Sequence, residues 1–307
     1  MTSWLSEHLV IHPEINESLE KGEAIVALES TVITHGLPYP ENKKLAKDLE
    51  AIIRGKNSVP ATIAILDGVV RIGLNDEQLE RVAEATDMIK VSSRDIAAAL
   101  IQHKSGGTTV AGTLAIAKQV GIKVFATGGI GGVHRQATFD VSADLGQLAN
   151  ARLVVVCAGA KAILDIPATL EVLETHGVPV VGYQTDDFPA FYSVSSGNKV
   201  GIRLDNARDV AQLARAHWEL GNQSSILLAV PPPMEAALDS QIVEEAIQKA
   251  LEEANQANVH GQAVTPYLLR KVSELTRGAS LRANLGLLRN NASVAAEIAH
   301  YLPSKKP

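Results

Sequence analysis

Short apolar runs alternate with longer amphipathic stretches along most of the chain. "AIVAL" (24–28) is uniformly apolar or small and predicts a strand; "NKKLAKDLEAIIRGK" (42–56) carries apolar residues at helical spacing. "ATIAILDGVVRIGL" (61–74) reads as a hairpin turning at Asp67-Gly68. "NDEQLERVAEA" (75–85) opens on a capping Asn with acidic residues behind it and predicts a helix. Further strands are expected at 88–92, 122–127, 152–158, 178–183 and 224–233, with helices at 108–121 and 163–177 and a mostly helical region from Glu235 onward. Apolar strands alternating with helices predict an α/β fold: three layers, α/β/α, around a largely parallel sheet, with a helical C-terminal region. No linker, repeat or charge block divides the chain, so one domain over 1–307 is the simplest reading.

In such sheets ligands bind beyond the carboxyl ends of the strands. Reading just past each strand collects Glu29 in "ESTVITHG", Thr127 and His134 in "TGGIGGVHR", Lys161 in "GAK" and the segment "QTDDFPAFY", and Lys90 lies inside the expected strand 88–92, at the start of "KVSSRD". Between two strands, "FDVSAD" offers Asp140, Ser142 and Asp144, oxygen donors of the kind a hard divalent cation prefers. Each also has a structural reading: a snorkelling Lys161, a capping Glu29, solvated aspartates. A cation is poorly placed at the start of a helix, which weakens that reading for Lys161, and a desolvated lysine is a nucleophile. The glycines of "TGGIGGVH" fit neither a Walker loop nor GxGxxG spacing, but let backbone N–H groups approach an anion. No GxSxG elbow is present.

Composition narrows the class. The chain is 46% hydrophobic and 4% aromatic with a net charge of -6, and its basic residues form no stripe, which argues against nucleic acid as partner. Cys157 is the only cysteine and lies in an apolar run, so it reads as a core residue in a reducing, cytoplasmic setting. No apolar run is long enough to span a membrane, and "MTSWLSEHLVIHPE" lacks the pattern of a signal peptide. These residues alone describe an enzyme of a small anionic substrate with a candidate Schiff-base lysine, a description class I aldolases share.

The motifs "ALESTVITHGLPYPEN", "GGTTVAGT", "FATGGIGGVHR", "DVSADLGQLA", "VVVCAGAKAILDIPATLEVLETHGVPVVGYQTDDFPAFY" and "ANLGLLRNNA" together resemble the pseudouridine-5′-phosphate glycosidase, or indigoidine synthase A-like, family, from about Glu14 to about Ala299. The resemblance implies reversible cleavage of pseudouridine 5′-phosphate to uracil and ribose 5-phosphate through a lysine Schiff base, a divalent metal (usually Mn²⁺) and a homotrimer. Carried over by motif, Lys161 is the nucleophile, Glu29 the proton donor and Asp140 the metal ligand. Lys90, Val110, Thr127, His134, Ser142, Ala143, Asp144 and Asn284 then contact substrate. The alternative is an aldolase-like Schiff-base lyase acting on another sugar phosphate or C-nucleoside.

Overall fold

The computed structural model describes residues 7–135, 140–257, 259 and 264–306. Residues 1–6 of the N-terminal reading, Phe139 of "FDVSAD" and part of the C-terminal helical reading, at 258 and 260–263, lie outside the described residues.

Thirteen strands are described: β1 (Leu9–Ile11), β2 (Ile25–Leu28), β3 (Val59–Leu66), β4 (Val69–Ile72), β5 (Ile89–Val91), β6 (Gly106–Thr108), β7 (Val124–Ala126), β8 (Val133–His134), β9 (Val154–Cys157), β10 (Leu164–Asp165), β11 (Val180–Tyr183), β12 (Ile202–Leu204) and β13 (Ile226–Ala229). Eleven of them form one sheet with the order β1-β4-β3-β2-β7-β9-β13-β11-β12, and β6 joins it through β3 and pairs with β5. From β3 across to β12 every pairing is parallel. The predicted hairpin is present: β3 and β4 pair antiparallel across Asp67 and Gly68, both at positive φ.

Every residue of β2, β7, β9 and β13 is buried, as continuous apolar strands require when both faces of a parallel sheet are covered. The helix Ala279–Tyr301 packs on β2, β7 and β9, and Val110–Val120 packs on β2 and β6. The result is the layered α/β fold expected, with the C-terminal helices Ser240–Gln256, Val264–Leu275 and Ala279–Tyr301 completing it. Cys157 is fully buried in β9, and burial pushes its thiol up to about 12.

Several expected strands are shorter at their ends, and two helix starts move by two or three residues, each for a local reason. The expected helix at 108–121 starts at Val110, because Gly106–Thr108 is recruited as a strand beside β3 and Thr109 caps the helix, its hydroxyl accepting from Gly112 N at 3.2 Å. The expected helix at 163–177 starts at Ile166, capped by the Asp165 carboxylate, because Leu164–Asp165 pairs antiparallel with Val133–His134.

Candidate active site

Parallel register brings the acid to its partner. Leu28 of β2 and Ala126 of β7 are register partners, so the next residue on each strand, Glu29 and Thr127, stand side by side. The buried Thr127 hydroxyl donates to Glu29 Oε1 at 2.5 Å. The buried Ser30 fixes the chain directly behind: its hydroxyl donates to Ile63 O (2.7 Å) and accepts from Thr108 N (2.9 Å), tying β2 to β3 and β6. Asn291 of the C-terminal helix donates to Thr127 O (2.8 Å) and holds the end of β7 from the other side.

Lys161 follows β9 by four residues, its backbone N–H donating to Ile130 O at 3.1 Å. Lys90 lies in β5 opposite Gly107 of β6. Burial raises the Glu29 carboxyl above its usual range, against the opposing pull of Lys161, the Thr127 hydrogen bond and Lys90. Burial lowers the Lys90 ammonium, as does the charge of Lys161, while Asp144 and Glu29 act the other way. One acid held towards its protonated form and two lysines therefore share a single electrostatic environment.

Glu29, Lys90, Val110, Thr127, His134, Asp140, Ser142, Ala143, Asp144, Lys161 and Asn284 all line one cavity of about 440 Å³. Every residue singled out from the sequence is thus brought together. The first turn of the helix Val110–Val120 borders the cavity at Thr109 and Val110, where the positive end of the helix dipole favours an anion. Thr31, His35, Ser92, Arg94, Phe191 and Leu288, which stand in the same sequence motifs, also line it. His35 had a signal: it stands in "STVITHG", six residues past Glu29, where the chain makes a π-helical turn, Val32–Gly36.

Two sequence readings change. Asp144 offers no carboxylate oxygen free of the backbone: Oδ1 accepts from Ala111 N (2.9 Å) and Oδ2 from Gly131 N (2.8 Å). The anion that the glycine run meets is therefore this internal one. A Cβ at Gly131 would lie 2.2 Å from Ser142 Oγ and 2.8 Å from Asp144 Oδ2, so close approach accounts for the glycine. Asp140 differs from Asp144. Its side chain is half exposed at the cavity, with Oδ2 4.0 Å from His134 Nδ1. Among the described residues no group of three or more His, Cys, Asp or Glu is placed so that it could hold a metal ion by itself. A hard cation here is compatible with one carboxylate and a shell completed by water and substrate oxygens.

The family model described as "Indigoidine synthase A like protein" matches residues 14–301. The chain belongs to the indigoidine synthase A-like family. It is 55% identical over 293 residues to the pseudouridine-5′-phosphate glycosidase of Herpetosiphon aurantiacus, an alignment covering 95% of this chain and 97% of the relative. It is 50% identical to the protein of the same name from Geobacillus kaustophilus, covering 97% and 100% of the two chains. Among solved structures, the prealnumycin C-glycosynthase AlnA in complex with ribulose 5-phosphate superposes with a TM-score of 0.89 at 41% identity, covering 96% of each chain. An indigoidine synthase A-like protein from Thermotoga maritima superposes with a TM-score of 0.88 at 37% identity, covering 96% of this chain and 97% of its own.

Proposed function

We infer that this protein is a pseudouridine-5′-phosphate glycosidase, cleaving the C–C glycosidic bond of pseudouridine 5′-phosphate reversibly to uracil and ribose 5-phosphate. The observation that carries the reading is the meeting of Glu29, Lys90, Lys161 and the Val110 helix terminus in one cavity, in a chain about half identical, end to end, to proteins of that name.

A uracil carbon is a poor leaving group in the two-carboxylate scheme of ordinary glycosidases. A lysine changes the problem. The neutral Lys161 amine attacks C1′ while the ring oxygen departs with a proton from Glu29, opening the sugar and leaving an amine linked to C1′. The ammonium so formed returns a proton to the Glu29 carboxylate, which passes it to uracil C5 as the C1′–C5 bond breaks, the bond's electrons restoring the uracil C5–C6 double bond. The Lys161 nitrogen lone pair forms the imine to C1′. Water hydrolyses the imine to free ribose 5-phosphate and the lysine. One hard cleavage becomes two easier steps. The raised Glu29 carboxyl suits a proton donor, and Thr127 fixes its orientation. Lys90, Arg94 and the helix terminus at Val110 offer positive potential to the 5′-phosphate.

Asp140 is the residue suited to hold Mn²⁺, which supplies positive charge against anionic oxygens of the substrate. The working form in this reading is a homotrimer in the cytoplasm; no helix among the described residues is long and apolar enough to cross a membrane.

Borohydride reduction in the presence of ribose 5-phosphate and Mn²⁺ tests the lysine chemistry. The expected result is a sugar-phosphate adduct on the peptide carrying Lys161, depleted when uracil is added before the reductant. An unmodified Lys161 overturns the mechanism. An adduct that uracil leaves untouched favours the second reading, C–C chemistry on another acceptor, to which the likeness to a C-glycosynthase lends weight.

A further inference from the structure

We propose that Arg135 is a positioning residue for the nucleophile: its guanidinium clamps the turn that opens at Lys161, and Glu244 of the helix Ser240–Gln256 holds the clamp in place. This role rests on the reading of Lys161 as nucleophile and adds the group that aims it.

The turn itself is held at both ends. Lys161 O accepts from Leu164 N at 3.0 Å, which closes a β-turn over 161–164. At its entry the Lys161 N–H donates to Ile130 O, and Ala160 pairs with Ile130. At its exit β10 pairs with β8. Between these ends Ala162 and Leu164 are buried, and a buried carbonyl needs a donor.

Arg135, the residue after β8, supplies both donors. Its Nε donates to Leu164 O at 3.0 Å and its Nη2 to Ala162 O at 3.1 Å. Two N–H groups on one edge of a rigid plane thus grip the turn on either side of Ile163. A guanidinium fork can do this and the single ammonium of a lysine cannot.

The third nitrogen fixes the plane. Nη1 donates to Glu244 Oε1 at 2.5 Å, and this bond is the main influence holding the Glu244 carboxyl below its usual range. Gln248, one helical turn on, donates to the same oxygen at 2.8 Å and orients the carboxylate. A surface ion pair would account for the Glu244 bond alone, and such pairs are worth little. It leaves the two bonds to the nucleophile's turn unexplained. Among the described residues His134 lines the cavity and Arg135 does not, so the arginine acts from behind the wall, through the backbone that carries Lys161. The helix Ser240–Gln256 packs on Val264–Leu275, whose Thr265, Pro266 and Leu269 line the cavity. Glu244 therefore joins the nucleophile's turn to a second stretch of the same wall.

The test compares wild type, Arg135→Lys, Glu244→Ala and the double variant as manganese-loaded full chains. Synthesis from uracil and ribose 5-phosphate is measured beside thermal melts and hydrogen exchange of peptides covering 159–165. Lysine keeps the charge and loses the fork; alanine at 244 keeps its helix. In Arg135→Lys, kcat per folded enzyme should fall about 10²-fold, the scale of a misplaced reacting group, with KM for ribose 5-phosphate within about threefold. Glu244→Ala should lower kcat about fivefold, and the double variant should be no slower than Arg135→Lys, because Glu244 acts through Arg135. Amides of 159–165 should exchange faster in Arg135→Lys while the rest of the chain is unchanged. A lowered melt with kcat per folded enzyme unchanged is what a merely structural clamp gives, and it overturns the proposal. So does a rise in KM at constant kcat, or fully additive losses in the double variant. If the wild type makes no product, the reaction reading fails and exchange decides the clamp separately: faster exchange confined to 159–165 supports it, and unchanged exchange overturns it as well.

Discussion

Glu29 and Thr127 meet because their strands are in register, and the consequence for Glu29 can be measured. Its carboxyl is raised from the ordinary 4.5 mainly by burial, with Lys161 the largest opposing influence. The protonated form is thus the one the folded state favours. Its contribution to stability is complete below the unfolded pKa and is lost as pH rises through the folded pKa. Glu29→Gln, a neutral mimic of the protonated acid, should match wild-type stability near pH 4. It should become relatively more stable as pH climbs from 4.5 upward, until Glu29 is ionised in the folded protein. Thermal melts across that window check the sign, and a constant difference contradicts the shift. The same variant should have lost the proton donor and with it most turnover.

At the scale of elements, much was legible. The all-apolar strands, the Asp67-Gly68 hairpin and the capped helix Asp76–Glu84 appear where periodicity puts them. Glu29 and Lys161 are legible because strand ends in a parallel sheet face a common edge, whereas Lys90 lies within β5, which runs against the parallel strands. What was not legible depends on long-range pairing. Gly106–Thr108 is strand only because β3 and β5 flank it, and three small residues before a helical run give no sign of that. Asp144 looked like a donor for a cation, yet the N–H groups it serves belong to residues 33 and 13 positions earlier. Phe191 reaches the cavity through a backbone conformation that its residue type argues against.

One residue of the motif "ANLGLLRNNA" carries a structural role that the motif alone does not announce. Asn291 is fully buried in the helix Ala279–Tyr301, and its amide reaches Thr127 O and Gly128 O at the end of β7. Asn291→Ala strands those carbonyls and should cost about 1–3 kcal/mol in urea unfolding. Because Thr127 orients Glu29, kcat should fall as well, with KM for ribose 5-phosphate little changed. A variant of native stability and full turnover contradicts this.

For the whole molecule, the expected assembly and metal make separate claims. Sedimentation of the protein should give three times the 32.5 kDa chain mass, and a monomer contradicts the trimer. Chelation should abolish turnover and leave the melting temperature nearly unchanged, because no metal-binding cluster of side chains knits the fold together among the described residues. A melt that collapses with chelator places the ion in a structural role instead.

The central claim is that this cavity makes and breaks a carbon–carbon glycosidic bond through Lys161. Its most direct test is incubation with uracil, ribose 5-phosphate and Mn²⁺, followed by chromatography and mass spectrometry, with Lys161→Ala alongside. The account predicts pseudouridine 5′-phosphate from the wild type and a loss of about 10³-fold or more in the variant. No product from the wild type, or equal product from both proteins, while an active control enzyme performs normally, contradicts it.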